Sequence, residues 1–168
     1  KSSTDCDGIS IKLLTKFAIE LSYPLTHIFN LSLKNGIFPS KLKTSKIIPL
    51  YKAGSPELCD NYRPIALLSS ISKTLEKIVA NKLTQHLESN ILLYKGQFMF
   101  KKSWSTEQDL IRVTQFISTA INDGKYCVGI FIDLKKAFDV CSHEILLAKL
   151  ENLGVRGITL SWFKSYLS

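Results

Sequence analysis

A run of apolar residues, Tyr126-Cys127-Val128-Gly129-Ile130-Phe131-Ile132, ends on Asp133. A half-buried strand alternates apolar with polar, and this run does not alternate. It reads instead as a strand buried on both faces. Cys127 within it is then expected as a buried thiol. Ionised Asp133 at the end of such a strand is costly unless it reaches the sheet rim and meets a cation or a donor. Asp139 follows six residues later, beyond Lys135, Lys136 and Phe138. Phosphoryl transfer by two metal ions uses carboxylates on rigid elements, with the ions about 3.5–4 Å apart. The bland alternative is that Asp133 caps the turn into the next helix. One carboxylate alone does not make a metal site.

The other elements follow from periodicity and punctuation. Ile9 to Leu21 carries Leu13, Leu14, Phe17 and Leu21 at helical spacing. Pro24 suits the first turn of a second helix that ends at Asn35-Gly36. Ser45 to Lys52 and Tyr62 to Leu68 read as two extended stretches, with Pro49 marking an edge strand. The polar loop between them is bounded by Gly54-Ser55-Pro56 and Asp60-Asn61, so a hairpin is expected. Ser70 to Ser89 is the clearest amphipathic helix, with Ile71, Leu75, Ile78, Val79, Leu83 and Leu87 on one stripe. Ser105-Thr106-Glu107-Gln108 fits a capping box for a helix reaching Asp123 and closed by Gly124. His143 to Leu153 is helical, with Gly154 after it.

The chain has 168 residues and a net charge of +8, and the excess is local. Lys34 to Lys102 holds 12 basic and 4 acidic residues, while the remainder holds ten of each. A basic middle segment suits a polyanion, although lysines also simply solvate helix faces. No apolar run approaches the roughly 18 residues of a membrane span, and no secretory leader opens the chain. Cys6, Cys59, Cys127 and Cys141 do not form a zinc-knuckle pattern with His27, His86 and His143. A reduced, intracellular protein of the nucleus or cytoplasm is expected. The chain opens on Lys1 and its one methionine is Met99, so both ends read as cut from something longer.

Ile130-Phe131-Ile132-Asp133-Leu134-Lys135-Lys136-Ala137-Phe138-Asp139 resembles the F-x-D-L-x-K-A-F-D signature of reverse transcriptases from non-LTR, LINE-like retrotransposons of the jockey and CR1 type. Asp7-Gly8-Ile9-Ser10, Phe38-Pro39, Ile48-Pro49-Leu50-Tyr51-Lys52, Asn61-Tyr62-Arg63-Pro64-Ile65, Gln97-Phe98, Ser105-Thr106-Glu107, His143-Glu144-Ile145-Leu146-Leu147 and Trp162-Phe163 fall in family order. The resemblance implies an α+β right-hand polymerase, with helices packed on a small antiparallel sheet. Residues 1–168 would be a partial reverse transcriptase domain, fingers to about residue 122 and the start of the palm from about 123. The strand at Tyr126 to Asp133 would be central, and the hairpin would form the fingers tip. The partners implied are an RNA template, a DNA primer and deoxynucleoside triphosphates.

Residue roles follow from the same resemblance. Asp133 matches the catalytic aspartate that binds two Mg²⁺ ions, with the Leu134 carbonyl as a further oxygen ligand. Phe138 matches the aromatic under the incoming sugar, which leaves no room for a 2′-hydroxyl. Lys52 and Arg63 match residues that hold the triphosphate and would face each other across the hairpin. Lys101 and Lys102, among Phe98, Phe100 and Trp104, match the template and primer contacts.

Some positions depart from the family. Met99 and Ser103 stand where glycines are usual, Lys101 where an arginine is, and Asp5-Cys6 where Gly-Pro is. Val140-Cys141-Ser142-His143 lacks the acid of T-V-D-H. The family's second metal-binding turn, [FY]-A-D-D, belongs beyond Ser168. The 168 residues alone are therefore expected to lack polymerase activity. The alternative is a non-catalytic remnant that at most binds nucleic acid or a partner.

Overall fold

The computed structural model describes residues 5–94, 96, 105–134 and 137–168. Two compact units form, one from residues 1–86 with 142–168 and the other from residues 87–141.

The first unit opens with α1 (Ile11–Lys16) and α2 (Ala18–Asn35). One helix was expected to reach Leu21, but the backbone breaks at Phe17 (φ −106°, ψ 29°). Pro24 then lies inside α2 rather than in its first turn. Lacking an N–H, Pro24 cannot donate to the Glu20 carbonyl, so α2 forgoes one backbone hydrogen bond in its second turn. Gly36 closes α2 in the left-handed conformation (φ 66°), with its N–H donating to Leu33 and Ser32 carbonyls.

β1 (Ser45–Tyr51) and β2 (Tyr62–Leu68) pair antiparallel, from Ser45 opposite Leu68 to Tyr51 opposite Tyr62. The Lys52 N–H donates to the Asn61 carbonyl at 2.8 Å, so the next pair outward is a hydrogen-bonded one. Alternation along the ladder then makes Pro49 and Pro64, directly opposite each other, a non-hydrogen-bonded pair. Their ring nitrogens point away from the partner strand, so neither proline removes a ladder bond. With two strands, both are edges, as Pro49 predicted.

α3 (Ser70–Ser89) starts where β2 ends. The Ser69 hydroxyl accepts from the Ile71 N–H (3.2 Å), and the Asp5 carboxylate from the Ser70 N–H (2.6 Å). Two of the helix's four orphan donors are thereby satisfied. Cys6 Sγ lies 3.6 Å from the Thr44 carbonyl. Consecutive residues Asp5 and Cys6 thus hold the backbone on each side of the hairpin base. α5 (His143–Asn152), capped by the Ser142 hydroxyl, and α6 (Gly157–Leu167) complete the unit.

The core is helical. Phe29 of α2, Phe38, Leu75 of α3 and Trp162 of α6 are buried together, with Leu25, Leu33, Val79 and Phe163 around them. Phe38 meets Trp162 and Tyr166 edge-on at 5.3 and 4.9 Å between centroids. The Trp162 indole N–H donates to the Ser32 hydroxyl (3.0 Å), which donates to the Ile37 carbonyl (2.6 Å). Helices therefore pack on helices. The sheet, expected as their platform, leaves most of both strands exposed.

The second unit contains α4 (Thr106–Asn122), with the capping box read from Ser105 and Gln108 fully formed. α4 has no buried residue. The run from Tyr126 to Asp133 differs from its reading: it forms no strand and pairs with none among the described residues, and Tyr126 and Phe131 are 100% and 95% exposed. Cys127, expected buried, is exposed too. A strand needs a neighbour for its N–H and C=O groups, and the described residues of this unit supply one helix and no second strand.

Candidate functional site

In antiparallel pairing, directly opposed residues share a face and successive residues alternate. The register puts Lys46, Ile48, Leu50 and Lys52 on one face of the hairpin with Asn61, Arg63, Ile65 and Leu67. The other face holds Ser45, Ile47, Pro49, Tyr51, Tyr62, Pro64, Ala66 and Leu68, and no charge. All three cations of the hairpin strands and the residue after β1 thus stand on one side. Lys52 and Arg63 are diagonal neighbours, about 7 Å apart at the backbone, rather than directly opposed. Leu50 faces Arg63, and Asn61 faces Lys52.

Both cations are exposed, and among the described residues neither has an ion pair. Two ammonium and guanidinium groups at that spacing suit a ligand carrying several negative charges on adjacent centres, such as a polyphosphate. The loop joining the strands is fastened from the strand ends. Tyr51 donates its hydroxyl to the Gly54 carbonyl, Asn61 its amide to that of Ser55 (2.8 Å) and Tyr62 its hydroxyl to that of Pro56 (2.8 Å). Nothing in composition or periodicity points to this set, because it depends on the register.

Asp133, Leu134 and Phe138 belong to the second unit, whereas Lys52 and Arg63 belong to the first. Asp133, Leu134 and Phe138 are all exposed. Among the described residues, no three His, Cys, Asp or Glu side chains gather as a metal site. One exposed carboxylate beside a backbone carbonyl does not fit a divalent ion by itself. Lys101 and Lys102, with Phe98, Phe100 and Trp104, lie outside the described residues.

A cleft of about 470 Å³ opens in the first unit beside the helical core, lined by Leu33, Val79, Lys82, His86, Arg156 and Phe163 among others. None of the expected site residues lines it. No helix among the described residues is long and apolar enough to cross a membrane.

Comparison with known proteins bears directly on this arrangement. Residues 48–168 match the family described as reverse transcriptase (RNA-dependent DNA polymerase). The chain is 34% identical over 154 residues to the probable RNA-directed DNA polymerase from transposon BS of Drosophila melanogaster, covering 91% of this chain and 17% of that protein. It is 36% identical over 148 residues to the RNA-directed DNA polymerase from mobile element jockey of the same organism, covering 88% and 16%. A third relative, the probable RNA-directed DNA polymerase from transposon X-element, is 34% identical over 128 residues, covering 76% and 14%. The chain thus spans about one sixth of the length of these proteins. Its matched residues begin inside β1 at Ile48 and take in the hairpin, Asp133 and the C-terminal helices. The chain belongs to the reverse transcriptase family, alongside the enzymes of non-LTR retrotransposons.

Proposed function

We propose that the protein to which this chain belongs copies RNA into DNA, and that these residues grip the incoming nucleotide and the nucleic acid. The observation that carries this reading is the placement of Lys52 and Arg63 on one face of the hairpin, with no acid partner among the described residues, inside the family match. Two cations there neutralise charge that builds on the β- and γ-phosphates as the bond to the α-phosphate breaks. The hairpin is the fingers tip, and residues from about 123 onward begin the palm. Phe138 sets the limit on the sugar. Lys101 and Lys102 contact template or primer.

The family in general depends on a metal ion. Asp133 and the Leu134 carbonyl are one contribution to a Mg²⁺ site that needs further carboxylates. The 168 residues by themselves therefore do not polymerise. Primer extension on an RNA template should match an Asp133→Ala control, and extension above that control would refute this inactivity.

Equilibrium binding of a deoxynucleoside triphosphate tests the grip itself. Lys52→Ala and Arg63→Ala should each weaken it by about fivefold, the value of one charge-assisted contact at an exposed site. Equal affinity in parent and both variants would overturn the assignment.

A further inference from the structure

Hairpin loops are ordinarily two to five residues long, and a longer one is expected to move. Here ten residues, Lys52 to Asn61, join β1 to β2. Three successive carbonyls, those of Gly54, Ser55 and Pro56, each accept a hydrogen bond from a side chain at a strand end: Tyr51, Asn61 and Tyr62. The Tyr51 and Tyr62 rings, opposed in register, also meet edge-on at 5.6 Å between centroids. The Ser55 carbonyl accepts from the Leu58 N–H as well (3.3 Å), and the Leu58 carbonyl from the Asn61 N–H (3.0 Å). Gly54 (φ 98°) lies so close under Asn61 that a Cβ there would sit 2.6 Å from the amide nitrogen. The loop is thus held in one shape by its own anchors.

That shape matters because the loop is acidic. Glu57 and Asp60 lie between the two cations in sequence, both exposed. A loose loop of this length lets either acid swing onto Lys52 or Arg63. In the fastened shape no such ion pair exists among the described residues. We infer that Tyr51, Asn61 and Tyr62 are positioning residues that keep the tip's own acids off Lys52 and Arg63, leaving both cations open to a triphosphate. This rests on the reading of Lys52 and Arg63 given above.

The test is calorimetric titration of the chain with inorganic tripolyphosphate and with a deoxynucleoside triphosphate at low ionic strength, where charge effects are least screened. Tyr62→Phe keeps the ring packing and removes only the donor, and Asn61→Ala removes the second anchor. Each should weaken binding about threefold to tenfold, the range of one lost hydrogen bond. Neutralising the acids (Glu57→Gln with Asp60→Asn) should restore affinity in either variant, by a larger factor than the same change gives in the parent. A merely structural role has no such rescue. Undiminished affinity in Tyr62→Phe and Asn61→Ala, or an equal gain from neutralisation in parent and variants, would overturn the inference. Undiminished affinity in Lys52→Ala and Arg63→Ala would instead bring down the underlying reading, and this one with it.

Discussion

Gly36 offers a measurement that separates backbone strain from steric contact. It ends α2 at φ 66°, and a Cβ there would lie 2.9 Å from the Ile158 carbonyl oxygen, 3.2 Å from Ser161 Cβ and 3.3 Å from Ile158 Cγ2. All three atoms are on α6, and one is backbone that no side-chain rotation can clear. Gly36→Ala incurs about 1–2 kcal/mol for the left-handed conformation. Pushing α2 from α6 adds about 1–3 kcal/mol, the usual cost of overpacking. The stiffer unfolded chain returns about 0.4–1 kcal/mol, for a net loss near 3. Gly157 is the internal control, because it has φ 60° in the same unit with nothing within 4 Å of its would-be Cβ. Gly157→Ala bears the strain without the clash and should lose about 1 kcal/mol. Urea unfolding followed by fluorescence of buried Trp162, on α6 itself, reads both variants in one unit. Asn tolerates the left-handed region, so Gly157→Asn should regain most of its loss while Gly36→Asn should not. Equal losses for the two alanine variants, or full recovery by Gly36→Asn, would refute the close-approach argument.

Two further predictions concern single polar groups. Ser32→Ala leaves the Trp162 indole N–H buried without its acceptor, so urea unfolding should show a loss of about 1–3 kcal/mol. The Ser70 hydroxyl, helped by the Ser70 N–H, holds the Asp5 carboxyl below its ordinary value of 3.8. A lowered folded-state value adds stability that is present above the unfolded value and is lost as pH falls through the folded one. The melting-temperature gap between the parent and Asp5→Asn should therefore be constant at neutral pH and close below about pH 4. A gap that widens on acidification would contradict the cap.

What was legible in the chain was what is decided locally. α3 matches its reading from Ser70 to Ser89 because its apolar stripe is long and regular, and α4 begins at its capping box. The hairpin was legible from an apolar, β-branched stretch and a second extended one around a polar loop marked by Gly54, Ser55 and Pro56. The run at Tyr126 to Ile132 was read as a buried strand from its apolar character alone, but pairing is a property of the neighbours, and a residue string does not contain them. The break at Phe17 leaves Leu13 donating nothing unusual to the pattern, since its carbonyl still accepts from the Phe17 N–H, so periodicity passes through it. Of the site, Lys52 and Arg63 were found through family resemblance, and their diagonal relation needed the register. The anchoring by Tyr51, Asn61 and Tyr62 needed it too, because three side chains and three carbonyls meet only once the strands are in step.

The facing prolines bear on how crowded copies of this chain behave. Ile47, Ile48, Leu50 and Ile65 are exposed on short strands, the composition that stacks chains into fibrils. Pro49 and Pro64 each place a ring where an incoming strand would seek an N–H. No more than four consecutive residues of either strand remain free of proline, below the six or so that a fibril-forming segment uses. A sticky hairpin can therefore stand out from the body during synthesis without templating its own polymerisation.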